Sequence, residues 1–493
     1  MKRNWKRLVC LALSVGVLAG CMAGCGKNVS GGDELLYYVM GSEGKDMGWV
    51  LNEVNALVKE KTGITLNFQF LTEDNYDLVL SSGEAYDLIF APDWMNYWEN
   101  AAKGAFAEIS DEDLQKHAPY IWEHGQEPLQ ASIYKGVRYG IPNIRQYAAD
   151  RCLVARGDLM KKYHIADLNS KENVEAYLTA VAENEPNMLP FDVPGNQSYL
   201  MLAMFATDWG WVPVGSLSYG EQVYFHKDDP EHKLFLAAEQ PEMKEFTETM
   251  KRWNDKGFFS KSVLSNKTQS IDSFKSGRSA LAFVNTPSDC QNVWNELSAD
   301  DRADWDIKFY ARYEKQQQLY GYNNNMVAIS AFSQNKDTAL KVLNEMYASK
   351  EIVRMLNYGI EGTHYEVTAD NKVKMLDPDA FGWVNTGIIN DTYLLDAALD
   401  FPGCDELVQK FKDMRFYNAA VNCPISDEGI REIKLALTEV YNQYTAPRYY
   451  GIITGTPEQA IEKEVTALKT AGVDQFLQSI QSQLDEYMKN MRQ

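Results

Sequence analysis

Histidine is scarce and badly spaced for metal binding. His117, His124, His164, His226, His232 and His364 are the only six in 493 residues, and no two stand three or four positions apart. That removes the paired-imidazole spacing on which the common zinc sites depend. The chain also lacks G-x-S-x-G, H-E-x-x-H and a P-loop, so the frequent hydrolase, metalloprotease and nucleotide signatures are absent. Seven cysteines are too few in a chain of this length for a disulfide framework. Downstream of the N-terminal segment, Cys404 and Cys423 lie closest in sequence; a disulfide between them and a pair of buried thiols are equally open. Positive charge is in deficit, 48 Lys and Arg against 69 Asp and Glu, for a formal charge of −21. Nucleic acid and an anionic membrane surface are therefore excluded as the main partner. No internal repeat and no low-complexity segment is present.

Long apolar runs are almost absent too, with one exception at the start. Lys2, Arg3, Lys6 and Arg7 precede an apolar stretch over residues 8–20, which spans only about 20 Å as a helix, too short to cross a bilayer. It reads as a signal peptide. Its end, Leu18-Ala19-Gly20-Cys21, resembles the lipobox of bacterial lipoproteins, and that resemblance implies a diacylglycerol on Cys21. Met22-Ala23-Gly24-Cys25 is a poorer second match. Residues 26–33 (GKNVSGGD) are small and polar, as a flexible tether should be.

The body opens as a parallel α/β sheet. Residues 35–40 form an apolar run, and Val50, Leu51, Val54, Leu57 and Val58 then share one helix face that stops at Gly63. Ile64, Leu66, Phe68 and Phe70 alternate with polar residues, a short helix falls near residues 76–80, and residues 86–91 form a third strand. Strand–helix–strand–helix–strand predicts a parallel sheet, whose carboxyl edge is where ligands bind. The loop after the first strand holds Ser42 and Glu43; the loop after the third holds Asp93, Trp94, Tyr97 and Trp98. Residues 134–142 read as extended, 152–155 as a strand and 157–257 as mostly helical. A helix stop at Gly277 precedes a strand ending at Asn285, and residues 319–330 read as a strand with an aromatic, amide-rich entry. Helices follow over 337–347 and up to Tyr358. At the C-terminus, Thr456-Pro457-Glu458-Gln459 is a capping box and Gly472 divides two helices.

The lipobox, the β-α-β-α-β start, the segment FKSGRSAL at 274–281 and the helix pair at 337–358 together resemble the extracellular solute-binding proteins of ABC transporters, in particular the maltose-binding-like cluster. NYGIEGTHY at 357–365 and the tail GTPE…AGVD from Gly455 to Asp474 resemble a subgroup of Firmicutes lipoproteins with a distinctive C-terminal domain. The likeness covers essentially the whole chain. It implies an α/β, periplasmic-binding-protein-like type II fold: two lobes joined by hinge crossings, with a C-terminal helical extension. The expected parts are a signal peptide (1–20), a lipid-anchored tether (21–33), a first lobe (34–149 plus 326–360), a second lobe (150–325 plus 361–455) and a helical pair (456–493). Crossings are expected near 143–150, 320–326 and 360–365. The implied cargo is a carbohydrate, handed to the transmembrane subunits of an ABC permease by a monomer that needs no cofactor and performs no catalysis.

Sugars present apolar C–H faces and paired hydroxyls, so a sugar cleft needs flat aromatic platforms with amides and carboxylates around them. The residues of these types that the expected fold places at the cleft are Glu43, Asp93, Trp94, Asn143, Asp208, Trp209, Trp211, Asn285, Tyr322, Asn324, Glu361 and Trp383. Most of the eleven Trp must be core in a chain with 12% aromatics, and Trp49, Trp253 and Trp305 are assigned there. Asp87, inside a strand, reads as a structural hydrogen-bonder. Two alternatives stay open: a ligand-sensing lipoprotein for a membrane kinase, and a secreted glycan-active enzyme. The second needs a carboxylate pair, which nothing fixes among Asp87, Asp93, Asp208 and Glu361.

Overall fold

Both faces of the first strand are apolar because both are covered. In Glu34–Glu43, Leu35, Tyr37 and Val39 enter one hydrophobic cluster, and Tyr38 and Met40 enter another on the opposite face, as in a parallel strand packed between two layers. The computed structural model describes residues 33–83, 86–146, 148, 151–215, 222–311 and 317–491. The signal segment, Cys21 and the tether up to residue 32 lie outside the described residues.

Glu34–Glu43 pairs in parallel with Thr65–Leu71 over its first seven residues and with Leu88–Phe90 at Tyr37 and Tyr38. Met326–Ile329 then runs antiparallel between Leu88–Phe90 and Gly140–Pro142. The helix Met47–Thr62 lays Val50, Leu51, Val54 and Val58 on this sheet and ends at Gly63, whose φ of 75° lets its N–H reach the Lys59 carbonyl at 2.8 Å. Asp87 is structural, as read. Its carboxylate accepts from the Leu36 N–H (3.0 Å), Ser333 Oγ (2.5 Å) and Asn335 Nδ2 (3.0 Å), tying three segments of the lobe together.

A second sheet runs in the order Lys308–Ala311, Cys152–Ala155, Ser279–Val284, Leu189–Phe191. Leu153, Leu281 and Phe283 face one core, while Cys152, Val154 and Ala282 face another. The chain leaves the first sheet at Pro142 and enters the second at Cys152; it leaves the second at Ala311 and re-enters the first at Met326. These crossings fix which edges face each other. The edge carrying residues 41–46 and 91–96 looks toward the edge carrying Asn285.

Three expectations are corrected. The stretch 157–257 is not mostly helical, because Trp211–Pro213, Val223–His226 and Phe235–Leu236 form a small antiparallel sheet. The segment 361–394, expected in the second lobe, stays with the first: Gly382–Asn385 pairs antiparallel with Met40–Glu43, and Phe381 and Ile388 join the first lobe's core. The third crossing therefore follows Leu394, and the chain next packs on the second lobe at Leu399 and Phe401. In place of one strand over 319–330, the 3-10 turn Tyr322–Asn324 precedes a strand confined to Met326–Ile329. Cys404 and Cys423 are not joined. The Cys404 thiol donates to the Leu399 carbonyl at 3.4 Å, and Cys423 is buried among Val212, Val214 and Ala420.

The C-terminal helices cover the small sheet of the second lobe. Leu468 from Pro457–Thr470, and Val473, Phe476, Ile480 and Leu484 from Val473–Met491, pack on Val212, Val223, Phe225 and Leu236. The predicted capping box is present, with Thr456 and Gln459 exchanging hydrogen bonds at 3.3 and 3.0 Å. Ahead of them, Arg431–Val440 continues through the π-helical turn Tyr441–Thr445 into Ala446–Tyr449. Pro447 accounts for that widened turn. A proline ring clashes with the carbonyl four residues before it in an α-helix, and here the ladder opens to a bond from the Ala446 N–H to the Tyr441 carbonyl, five residues back.

A candidate ligand cleft between the lobes

The carboxyl edge of the first sheet carries two exposed indoles. Trp94 stands on the 3-10 turn Asp93–Met95, 41% exposed, with Phe90 edge-on to its ring at 6.0 Å between centroids. Its Nε1 donates to the Asn324 carbonyl at 2.8 Å, so the platform is fastened to a crossing between the lobes. Trp49, in the first turn of Met47–Thr62, is 45% exposed; its Nε1 donates to Glu53 at 3.2 Å and its ring lies 5.8 Å from His364. From the sequence Trp49 is expected in the core. The structure puts it outside because Met47, Val50, Leu51, Val54 and Val58 occupy the buried face, and position 49 falls off that stripe.

Polar groups stand beside the indoles. Glu43 is exposed at the end of the first strand, with Oε1 3.6 Å from where a Cβ on Gly48 would lie, so it leans over the start of the helix. Asp93 is half-buried, and the packing around it pushes its carboxyl up to about 7, against the weaker pull of its own N–H and that of Trp94. The backbone of Trp383 stands opposite Ser42 on the same edge. Across from them, Asn285 is exposed at the end of Ser279–Val284 and accepts from Arg151 at 2.9 Å.

The crossings hold a second group. Tyr322 lines a cavity of about 500 Å³ together with Glu127, Ile144, Arg145, Asp391 and Arg415, and Arg145 pairs with Asp391 at 3.4 Å. Burial, reinforced by the Glu127 carboxylate, pushes the Tyr322 hydroxyl up to about 12. This cavity contains neither indole, so it belongs to the hinge rather than to the platforms. Asn143 and Asn323 are fully buried there, and neither amide has a hydrogen-bond partner among the described residues. A Cβ on Gly321 would stand 2.2 Å from Asn422 Oδ1 and 2.4 Å from Asn323 Oδ1, so only glycine fits without moving both amides. Asn143 is thus a buried hinge residue rather than a cleft contact, and Asn324 acts through its carbonyl.

Trp211 is 4% exposed, packed against Tyr224 and Phe235 with centroids 5.6 and 5.2 Å away. Expected at the cleft, it instead opens a strand and faces the core of the second lobe. Trp209 is half-buried on the same core, 4.7 Å from Trp211, and Asp208 sits 3.9 Å from Lys171 Nζ. Glu361 is exposed on the first lobe beside Tyr365, whose Oη lies 3.5 Å away.

Residues 56–372, well over half of the chain, match the family of bacterial extracellular solute-binding proteins. The chain belongs to this family. Solute-binding proteins are carriers rather than enzymes, and they work on the outer side of the membrane. Residues 430–489 match a domain of unknown function. A carbohydrate ABC transporter substrate-binding protein of Streptococcus pneumoniae serotype 4 is 25% identical, aligned over 99% of this chain and all of the relative. Among solved structures, the N-glycan transport solute-binding protein of Streptococcus pneumoniae has a TM-score of 0.72 at 21% identity, covering 93% of this chain and all of its own. A second S. pneumoniae ABC-transporter substrate-binding protein, in complex with kestose, has a TM-score of 0.62 at 15% identity, covering 93% of this chain and all of its own. These structural likenesses establish the type II solute-binding fold.

Proposed function

We propose that this solute-binding protein captures a carbohydrate between its lobes and delivers it to the transmembrane subunits of an ABC permease, as a monomer tethered to the membrane by a lipid on Cys21. The observation that carries the carbohydrate reading is the pair of exposed indoles, Trp49 and Trp94, at a sheet edge that also bears Glu43 and Asp93 and faces Asn285. Stacking platforms ringed by carboxylates and amides suit sugar rings with their alternating C–H faces and hydroxyls. The named cargo of the relatives supports the same class. The proposed contacts are Glu43, Trp49, Asp93, Trp94, Asn285 and Trp383, with Tyr322 and Asn324 transmitting closure at the hinge.

Titration calorimetry against a panel of oligosaccharides tests the reading, with saturable heat for at least one expected. Clear binding of a peptide with no response to any carbohydrate would overturn it. The tether is tested separately: Cys21→Ala should release the protein from the cell surface into the medium, and retention would remove the anchor.

Asp93 makes the affinity depend on pH. With its carboxyl at about 7, it is a neutral hydrogen-bond donor below that pH and a carboxylate acceptor above it. The raised value also means that folding favours the protonated form, so the stabilising contribution is complete below the unfolded value near 4 and is lost as pH rises through 7. Carbohydrate affinity is expected to change between pH 6 and 8 in the native protein and to be flat in Asp93→Asn. An equal pH response in both proteins would assign the effect to another group.

A further inference from the structure

The geometry points to a function for the C-terminal module, residues 425–491: it is a latch that rides on the second lobe, grips the first lobe, and so sets how readily the receptor closes. The contacts need no ligand, although their purpose rests on the solute-capture reading above.

The module is fixed to the second lobe through the apolar contacts of Leu468, Val473, Phe476, Ile480 and Leu484 with the small sheet. From that base it reaches across to the first lobe at three points. Lys434 Nζ meets Glu99 Oε1 at 3.2 Å, Tyr134 Oη donates to Ser426 Oγ at 3.0 Å, and Lys135 Nζ meets Glu428 Oε2 at 2.5 Å. The first-lobe partners occupy one patch. Glu99 lies on the short helix Tyr97–Ala102, directly after the Trp94 turn, and Tyr134 and Lys135 lie on the hairpin Ile133–Tyr134/Val137–Arg138. Lys135, with φ of 49°, sits in the left-handed turn at the hairpin tip. Lobe opening would pull this patch away from the module.

The gripping loop is held ready in its shape. Gln483 from the last helix takes both backbone groups of Ser426, accepting from its N–H at 2.7 Å and donating to its carbonyl at 3.1 Å. Asp427 receives both arms of Arg431, at 2.8 and 3.0 Å. Such preorganisation reduces what each closure costs in ordering the loop. Glu99 and Ser426 are only 7% and 5% exposed, so two of the three contacts exclude water rather than decorate a rim. A ligand shifts a two-state equilibrium only by its differential affinity; contacts between module and first lobe that opening breaks would leave less of the shift for the ligand to supply.

Small-angle X-ray scattering of the ligand-free, full-length protein reads the lobe equilibrium without any carbohydrate, so its outcome is separable from the fate of the sugar assignment. Lys434→Glu and Glu99→Lys are each expected to shift the protein to a larger radius of gyration. The charge-swapped double variant, Glu99→Lys with Lys434→Glu, should return toward the native value. Tyr134→Phe, which removes one hydroxyl and leaves the ring packed, should shift the radius in the same direction by less, with the melting temperature unchanged. A native radius in all the single variants, or a double variant as expanded as its parents, would overturn the latch.

Discussion

Arg448→Leu is expected to destabilise the second lobe by about 3–5 kcal/mol, lowering its melting temperature by roughly 10 °C on the usual scaling for a unit of that size. Arg448 is 1% exposed and its Nε donates to Glu464, which is fully buried. The Glu464 carboxylate also accepts from Gln222 Nε2 at 2.8 Å and Thr445 Oγ1 at 2.7 Å, while Arg448 Nη1 donates to Thr247 Oγ1 at 3.0 Å. The cluster therefore joins the loop before Val223–His226, the helix Glu242–Asp255, the π-containing helix and Pro457–Thr470. Removing the guanidinium strands a carboxylate where water cannot reach it, which is far worse than never having buried the pair. Arg448→Leu combined with Glu464→Leu should therefore be more stable than Arg448→Leu alone, even with one change more. Calorimetric melting of the two variants checks this. An Arg448→Leu protein that melts within a degree or two of the native one would show that the pair is solvated in solution.

The second large effect separates two tryptophans that composition treats alike. Trp94→Ala is expected to weaken carbohydrate binding by about 30-fold or more, the scale of losing a 2 kcal/mol hot spot, with little change in stability. Its ring is already 41% in solvent, and one hydrogen bond and one edge contact hold it. Trp94→Phe should fall between, since it keeps a stacking face but loses the bond to Asn324 and with it the link to the crossing. Trp211→Ala should do the reverse. Emptying a site that is 4% exposed costs about 3–5 kcal/mol in transfer and cavity terms, while the folded fraction binds with native affinity. Denaturation and titration calorimetry on both variants form the test; lost affinity with native stability in Trp211→Ala would return that residue to the cleft.

The sequence showed more of the fold than of the site. Periodicity located Met47–Thr62, Lys336–Ala348 and the capped Pro457–Thr470, because a helix writes its buried stripe and its caps into neighbouring positions. The same stripe on Met47–Thr62 also leaves Trp49 off the buried face. Strands of three or four residues such as Trp211–Pro213 and Gly382–Asn385 are too short to show a period of two. Their existence rests on partners far along the chain, as when Trp383 lies opposite Ser42. That non-locality moved the third crossing and turned Trp211 from platform to core.

By itself the sequence determined the class of molecule: a parallel α/β start, an acidic chain without catalytic or metal signatures, and loops at a sheet edge that hold Glu43, Asp93 and Trp94. Each follows from local pattern or composition, which the chain carries wherever it folds. Tertiary structure alone decided which aromatic rings meet solvent, which carboxylate is pushed toward neutrality, and that the last helices hold a loop against the opposite lobe. Those properties depend on what stands across a gap from each side chain, and only the folded chain brings Lys434 to Glu99 and the indole of Trp94 to the carbonyl of Asn324.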